Sequence, residues 1–175
     1  RGAAGPLLVR GGDTRRLGHA VGEVLETGGL SGVELYEPGA LTLVVRAGTP
    51  VAEVERVLAA ERQRLAFEVP DMRGLLGRKG LSTIGGVLAA NLSGPRRIKA
   101  GAARDHFLGV SAVSGRGETF KSGGRVVKNV TGYDLCKLLS GSFGTLAAMT
   151  DVTIKTLPLS ETEQTIMVVD LDDEA

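Results

Sequence analysis

The chain has 175 residues, of which 42% are hydrophobic and 23% charged, a balance that suits one globular domain or two small intertwined lobes. Lys and Arg number 21 and Asp and Glu 20, so the net charge of +1 gives no broad electrostatic case for binding nucleic acid or an acidic membrane surface. One cysteine and two histidines exclude an intrachain disulfide framework and a cysteine-rich metal or iron–sulfur site, and zinc is not expected.

No apolar run reaches the roughly twenty residues that a membrane-spanning helix needs, and the amino end has no signal-peptide pattern. We therefore expect a soluble or peripherally attached protein. The chain begins at Arg1 without a methionine and ends on DLDDEA, directly after the strand-like QTIMVV. These ends fit a fragment of something longer.

The first predicted elements are two strands and the helix that follows them. PLLVR predicts a short buried strand that opens directly into Gly11 and Gly12, and LTLVVRAG predicts a second strand. Thr49-Pro50 then predicts an N-cap followed by proline at the first helical position. The next apolar residues share one face of that helix: Val51, Val54 and Leu58.

The middle of the chain predicts one more strand, a loop and a short helix. RLAFEVPD fits a return strand, whereas MRGLLGRKG is basic, broken by glycines and without a clear period, which predicts a loop. From Thr83, the small apolar residues of IGGVLAANL predict a short helix that begins near a glycine pair. We expect free backbone N–H groups to point out of the start of this helix.

The last third of the chain predicts a hairpin, a helix and a strand. Gly115 and Gly117 mark a turn between two strands in FLGVSAVSGRGETFKSGG. GYDLCKLLSGS fits a helix that stops at Gly141. TLAAMTDVTIKTLP fits a strand in which Val152 and Ile154 share one side.

Glycine is the outstanding residue type, with 26 glycines against 3% aromatic residues and no tryptophan. This composition argues against base-stacking nucleic-acid platforms and for loops that need positive φ or close backbone approach. A glycine turn after a strand lets a pyrophosphate approach main-chain donors, and VRGGDT at residues 9–14 has that form. Alone, this cluster would favour a plain tight turn. A second cluster at residues 82–86 favours a nucleotide cofactor between two lobes.

Standard motifs for nucleotide binding and nucleophilic catalysis are absent from the sequence. Neither G-x-G-x-x-G nor G-x-x-x-x-G-K-[ST] occurs, and there is no G-x-S-x-G elbow. Cys136 falls in a predicted helix, where a packed and inert thiol is the better interpretation. His19 and His106 are better interpreted as surface or hydrogen-bonded residues than as catalytic bases. The catalytic residues therefore remain unknown at this level.

The glycine-rich segments, taken in order, resemble a known family. The chain looks like the FAD-binding domain of the vanillyl-alcohol-oxidase (PCMH) type in VRGGDT, LTLVVRAGTPVAEVERVLA, STIGGVLAANLSGPRR, AGAARDHFLGV, GGRVVKNVTGYDLCKLL and GSFGTLAAMTDVTIK. The resemblance covers nearly the whole chain. It is most similar to the FAD-binding subunits, the E subunits, of bacterial glycolate oxidase in NLSGPRRIKAGAARD, VVKNVTGYDL and SFGTL.

The resemblance implies an α+β fold of two subdomains with FAD between them, about residues 1–80 forming the first and about residues 81–175 the second. It also implies a pyrophosphate loop with main-chain donors, which comprises Arg10, Gly11, Gly12, Asp13 and Thr14 and is closed by Leu17 and Gly18. Pro70 would lie by the flavin. The remaining implied cofactor-binding residues line the ribityl and diphosphate path, the ring or the adenine side: Ser82, Thr83, Gly85, Gly86, Asn91, Gly101, Ala102, Ala103, Arg104, Gly144 and Met149.

Two departures from the wider family pattern bear on the flavin. Much of the superfamily has a tyrosine before the glycine equivalent to Gly101, whereas Ala100 stands here, as in the glycolate-type subunits. Members that attach the flavin covalently use a histidine in the first loop, which Asp13 and Thr14 occupy here. The resemblance therefore implies a noncovalent FAD, and no metal.

The family's larger members carry a carboxy-terminal substrate cap, and we expect none in this chain. The resemblance then implies a second FAD-containing subunit and an iron–sulfur subunit as partners, with a small 2-hydroxy acid, glycolate, as the substrate of the complex. It implies a cytoplasmic location, peripheral at the inner membrane through those partners. Arg96, Arg97 and Lys99 would steer a hydroxy-acid carboxylate or bind an acidic partner, and a solvated turn is an equal alternative.

Three functions remain open. The first is an FAD-binding subunit that carries electrons in a glycolate (2-hydroxy-acid) oxidase or dehydrogenase complex, an FAD-dependent oxidoreductase that is not active alone. The second is a self-sufficient FAD-dependent oxidase or dehydrogenase of another small hydroxy acid. The third is a non-redox nucleotide-binding assembly module.

Overall fold

The computed structural model describes residues 5–15, 18–125 and 132–169, which form eight strands and five α-helices. The strands are β1 (Leu7–Arg10), β2 (Glu23–Glu26), β3 (Val33–Glu37), β4 (Thr42–Arg46), β5 (Gln63–Leu65), β6 (Phe107–Ser114), β7 (Thr119–Gly123) and β8 (Ala147–Pro158). The helices are α1 (Val51–Ala60), α2 (Arg73–Leu76), α3 (Ile84–Ala90), α4 (Arg97–Ala100) and α5 (Leu135–Leu139), with 3₁₀ turns at Pro38–Ala40 and Ala103–His106. None of the helices in these ranges is long and apolar enough to cross a membrane.

Two sheets of different kinds make up the fold. β1 and β2 pair in parallel, with Leu7 opposite Glu23, and form a sheet of their own. The larger sheet is antiparallel, with the strand order β3-β4-β8-β6-β7, and the short β5 pairs with the end of β8. Strands from both halves of the chain therefore meet on the twelve-residue β8. The division into subdomains near residue 80 stays a prediction.

One hydrophobic core joins the larger sheet to its helices. The buried residues of α1 recur at the spacing of one helical face, so this helix turns one apolar stripe to the sheet, whereas α3 is buried around most of its circumference. Burying an aliphatic side chain of this size contributes about 1.5–3 kcal/mol. The fully buried aliphatic side chains of the core include Leu43, Val45, Val54, Leu58, Ile84, Val87, Leu88 and Ile154.

The structure confirms most of the predicted elements. PLLVR and LTLVVRAG form β1 and β4, and RLAFEVPD contributes the end of the short β5. The expected burial of PLLVR is wrong, because Leu7 is 47% exposed and the rest of β1 is only half-buried. The predicted hairpin turn lies between β6 and β7, and Val152 and Ile154 of β8 are both in the core. Asp134 caps α5 by accepting a hydrogen bond from the Lys137 amide, and Gly141 follows the helix with a φ of 82°.

The helix start predicted at Thr49 is wrong by one residue. Pro50 occupies the N-cap position of α1, and Val51 is the first helical residue. The Thr49 hydroxyl donates to the Arg46 carbonyl at 2.7 Å and accepts from the Gly32 amide at 2.9 Å. Because these contacts engage the hydroxyl, Thr49 ties the end of β4 to the loop before β3 and does not cap the helix.

Two further predictions are wrong. MRGLLGRKG contains the one-turn helix α2, which ends where Gly77 adopts a φ of 61°. The strand-like segment 164–169 forms no strand, and Ile166 in it is 82% exposed. A β-propensity pattern makes a strand only where a neighbouring strand supplies hydrogen-bond partners, and none of the described strands pairs with this segment.

The cysteine and the histidines play structural or surface roles. Cys136 is buried, and this burial raises the pKa of its thiol to about 12, so the thiol stays protonated and unreactive near neutral pH. His106 Nε2 is hydrogen-bonded to the Ala100 carbonyl at 2.8 Å, and its ring stacks on Phe67 with the centroids 6.0 Å apart. His19 is exposed.

A close backbone approach holds the loop after β1 against the segment that leads into α3. A Cβ atom at Gly12 would lie 1.5 Å from the Leu81 carbonyl oxygen, and one at Gly80 would lie 1.9 Å from the Gly12 carbonyl oxygen. Only residues without a Cβ allow two backbones to come this close. The second glycine of the pair is therefore required by the fold itself.

Replacing Gly12 by alanine should destabilise the apoprotein. The added methyl group meets a backbone carbonyl that cannot rotate away, so the free energy of unfolding should fall by about 1–3 kcal/mol. Urea unfolding of the cofactor-free protein measures this change. Gly28→Ala is the matched control, since a Cβ there has nothing within 4 Å. Equal stability of the two variants would contradict the assignment.

Candidate functional site: a nucleotide-sized cavity at the first loop

A cavity of about 360 Å³ opens between the loop after β1, helix α3 and the segment that leads into β8. We call residues 11–15 the first loop. The cavity volume lies in the range of roughly 300–1,000 Å³ that small-molecule and cofactor sites occupy. The two glycine clusters singled out in the sequence thus line one common cavity.

The first loop presents backbone donors that the described part of the protein does not use. The amide N–H groups of Gly11, Gly12 and Thr14 have no hydrogen-bond acceptor among the described residues. All three residues line the cavity. Backbone N–H groups removed from bulk water are nearly always paired, and a turn of successive amides is a binding site for anions. The first loop can therefore hold an anionic group such as a diphosphate.

Three charged side chains line the cavity. Arg10 donates from Nε to the Glu26 carboxylate at 2.9 Å, which raises the pKa of Arg10. The Asp13 carboxylate lies 3.7 Å from the guanidinium of Arg78. Arg15 differs from both because it is buried and has no carboxylate within 4 Å among the described residues. Burial lowers the pKa of Arg15 from its usual value.

Small residues of α3 leave the cavity open. Gly86, Ala89 and Ala90 line it, and a Cβ at Gly86 would meet only the Thr83 hydroxyl, at 3.1 Å. Gly85 has a different role, because a Cβ there would lie 2.7 Å from the Ala47 carbonyl oxygen. The two glycines therefore have different roles. Gly85 permits close packing of α3, whereas Gly86 leaves space in the cavity.

The expectation of free amides at the start of α3 is wrong. The Ile84 amide donates to the Thr49 carbonyl at 3.0 Å, and the Gly85 amide donates to the Ala47 carbonyl at 2.8 Å. The Gly86 amide donates to the side chain of the N-cap residue Thr83 at 3.3 Å. Because the fold already satisfies these donors, the start of this helix does not offer them to an anion.

Ten of the predicted cofactor-binding residues line the cavity. They come from the first loop, α3 and the region of β8: Arg10, Gly11, Gly12, Asp13, Thr14, Thr83, Gly85, Gly86, Gly144 and Met149. Pro70 and Ser82 line a neighbouring cavity of about 200 Å³, which Arg15 lines as well, and Pro70 also lines a cavity of about 560 Å³. Gly18, with a φ of 73°, lines none of these cavities. Leu17 lies outside the described residues.

The other predicted residues lie away from this lining. Asn91 ends α3 with a φ of 50°, and its Oδ1 atom accepts a hydrogen bond from the Arg104 amide at 3.1 Å. Gly101 adopts a φ of 83°, next to buried Ala102 and Ala103. In the structure these residues connect α3 to the 3₁₀ turn that precedes β6, and their contact with a cofactor stays a prediction.

Sequence reasoning missed about half of the lining. The missed residues are mainly apolar or small, and are Leu8, Val9, Arg15, Ala20, Thr27, Ala47, Ala89, Ala90, Phe143, Thr145 and Ala147. A helical projection of α3 could have found Ala89 and Ala90, which lie three and four residues after Gly86. Nothing in the local sequence distinguishes Arg15 from the adjacent Arg16.

The antiparallel sheet with its flanking helices, and the cavity lined by loop amides that are unpaired among the described residues, suit a domain that binds an anionic nucleotide. Residues 2–123 match the FAD binding domain family, and the chain belongs to this family of FAD-binding domains. A solved alkyldihydroxyacetonephosphate synthase shares the fold with a TM-score of 0.71 and 21% identity, over 89% of this chain and 28% of the other. The fold is accordingly the PCMH-type FAD-binding fold.

The curated relatives include two glycolate oxidase subunits and a D-lactate dehydrogenase. Glycolate oxidase subunit GlcE of Escherichia coli is 37% identical over 87% of this chain and 43% of its own length. Glycolate oxidase subunit GlcD of Bacillus subtilis is 36% identical over 73% of this chain and 26% of its own length. D-lactate dehydrogenase of Archaeoglobus fulgidus is 35% identical over 87% of this chain and 33% of its own length. The chain thus spans less than half the length of these relatives.

Replacing Gly86 by leucine should fill the cavity without unfolding the protein. The side chain would enter the open space that Gly86 lines, so FAD affinity should fall by about tenfold or more while apoprotein stability is kept. Titration of the apoprotein with FAD, followed by flavin fluorescence, measures the affinity. Gly74→Leu in α2 is the control, because a Cβ there has nothing within 4 Å. Unchanged FAD binding by Gly86→Leu would place the cofactor elsewhere.

Proposed function

We propose that this chain is the FAD-binding subunit of a glycolate (2-hydroxy-acid) oxidase or dehydrogenase complex and carries electrons on a noncovalent flavin. The observation that supports it most is the first loop, whose free amides belong to residues that line a cofactor-sized cavity. The substrate class is supported by a relative named as a glycolate oxidase subunit, to which 87% of this chain aligns.

The residues present fit a flavin nucleotide. The first loop would hold the diphosphate through its amides, and the small residues of α3 leave room for the rest of the nucleotide. When bound, FAD supplies the redox chemistry by taking up a hydride from the hydroxy acid. The protein contributes an apolar lining that excludes water, and fixed donors and charges in the first loop.

The character of the lining supports noncovalent attachment. Asp13 and Thr14 occupy the loop positions next to the glycine pair, and neither side chain forms the ring linkages that histidine forms in covalent flavoproteins. His106 is hydrogen-bonded to Ala100 outside this cavity. Within the described residues, the lining contains no histidine, cysteine or tyrosine.

FAD should leave the denatured protein intact. Hydrogen bonds from loop amides disappear when the chain unfolds, so acid precipitation or heating should transfer all of the flavin to the supernatant. Absorption spectra of supernatant and pellet, with mass spectrometry of the released flavin, measure the outcome. Flavin that stays on the washed pellet would contradict noncovalent binding.

The basic helix α4 and its preceding residue offer a surface for a partner subunit. Arg96, Arg97 and Lys99 are exposed, and Ile98 between them is 100% exposed. An exposed aliphatic side chain inside a cluster of cations is suited to an acidic partner with an apolar contact point. We propose a second FAD-containing subunit and an iron–sulfur subunit as the partners, with association at the inner membrane through them.

The isolated, FAD-loaded chain should show little flavin reduction by glycolate and should gain it beside its partner subunits. Oxidising a hydroxy acid also requires a base within hydrogen-bond reach of the hydroxyl proton, and we propose that assembly completes this site. Anaerobic stopped-flow absorbance with glycolate, with and without the partners, measures the reduction rate.

The variant Arg97→Glu/Lys99→Glu tests the proposed contact in the same assay. It should lower recovery of the complex in a pull-down and leave FAD affinity of the isolated chain unchanged, because both residues lie outside the cavity lining. Reduction of the isolated chain by glycolate at catalytic rates would contradict the dependence on partners. Protein that binds no FAD under cofactor supplementation would instead favour the non-redox assembly module.

A self-sufficient dehydrogenase of another hydroxy acid is the second candidate. The D-lactate dehydrogenase of Archaeoglobus fulgidus aligns with 87% of this chain, the same share as the glycolate oxidase subunit. D-Lactate in the same anaerobic assay separates the candidates. Rapid reduction of the isolated chain by D-lactate, with no response to glycolate, would favour the second.

A further inference from the structure

Arg15 is a buried cation that cross-links three segments of the site. Only 6% of its surface is exposed. Its Nη2 atom donates to the Pro70 carbonyl at 2.8 Å, while Nη1 donates to the Thr14 hydroxyl at 3.0 Å and also to the Ser82 hydroxyl. Its Nε atom is buried without a hydrogen-bond partner. A buried guanidinium that has no carboxylate partner is costly for the fold and is therefore a candidate for a functional role.

Among the described residues, no carboxylate forms an ion pair with Arg15. Of the other charged residues that line the cavity at the first loop, Arg10 pairs with Glu26 and Asp13 lies near Arg78. Asp71 is the carboxylate whose field acts on Arg15, but it forms hydrogen bonds with Arg73, which hold the pKa of Asp71 at about 2. The cavity wall therefore carries an excess positive charge at Arg15, which suits an anionic ligand.

The hydrogen bonds of Arg15 determine whether two hydroxyl groups act as donors or as acceptors toward a ligand. A hydroxyl has one proton to donate and lone pairs to accept with. The Thr14 and Ser82 oxygens both accept from Arg15, and neither hydroxyl donates to another described residue. Each hydroxyl proton is therefore available to a ligand. Because the hydroxyl oxygen accepts a hydrogen bond from the cationic guanidinium, the hydroxyl is polarised and the hydrogen bond that it donates is stronger.

We propose that Arg15 is a positioning residue that fixes the Thr14 hydroxyl as a donor to the diphosphate of the bound flavin nucleotide and supplies the compensating positive charge. This inference rests on the proposed FAD-binding function. Thr14 lines the cavity at the first loop beside the free amides of Gly11 and Gly12, so its hydroxyl extends that row of donors. Arg15 lies behind the row, held by Ser82 and Pro70.

Ligand binding by single and double variants tests the proposal. Arg15→Gln and Thr14→Val should each weaken the binding of FAD and of ADP by about tenfold or more, because each substitution removes a stabilising interaction with the charged diphosphate. Binding of the phosphate-free probes riboflavin and adenosine should change by less than about twofold. The double variant should bind FAD and ADP only slightly more weakly than the single variant with the lower affinity, since Arg15 and Thr14 act through the same hydrogen bond. Calorimetric and fluorescence titrations of the apoproteins measure these constants.

Three comparisons keep the outcome clear. Arg46→Gln removes an exposed charge that is paired with Glu34, and it should leave all four ligands unaffected. Arg15→Lys keeps the charge and should bind FAD with an affinity between those of the wild type and Arg15→Gln. If circular dichroism shows that Arg15→Gln does not fold, Arg15→Lys and Thr14→Val carry the same comparison of FAD and ADP with the phosphate-free probes.

Two results would overturn the inference. Equal weakening of phosphate-containing and phosphate-free ligands would show that Arg15 acts only on the shape of the site. Additive losses in the double variant would show that Thr14 and Arg15 act separately. A wild-type protein that binds none of the four ligands would instead contradict the proposed function, so the two failures are distinguishable.

Discussion

The close backbone contact of Gly12 with Gly80 and Leu81 is the constraint on which the candidate site depends. Two segments far apart in sequence approach so closely that a single added Cβ would overlap a carbonyl oxygen. This contact sets the first loop directly against the residues that start α3. The free amides of the cavity and its buried arginine belong to that loop.

The unpaired donors beside the cavity belong to the first loop and not to α3. The first amides of α3 donate to the carbonyl groups of Ala47 and Thr49, so the helix start is used for packing against the end of β4. The amides of Gly11, Gly12 and Thr14 keep their donors free among the described residues. A short helix beside a glycine turn thus serves as a wall of the cavity, while the turn provides the donors.

Much of the fold follows from the local pattern. The apolar spacing of α1, the alternation in β8 and the glycine turn after β1 are readable because each depends on neighbours within a few residues. Thr49 and segment 164–169 depart from the pattern because groups distant in the sequence decide them. Thr49 is engaged by Gly32 and Arg46, and segment 164–169 has no strand beside it among the described strands.

The amino-acid sequence by itself determined the family, the glycine turns and ten residues of the cavity lining, because a missing Cβ and a hydrophobic period are local properties. Only the tertiary structure decided which donors remain free and which charge is buried. Arg15 forms hydrogen bonds with Pro70 and Ser82, which are 55 and 67 residues away in the sequence. In the sequence alone, Arg15 cannot be distinguished from its neighbour Arg16. The role of a polar group depends on the partners that long-range packing brings within hydrogen-bond distance, and a local pattern does not specify them.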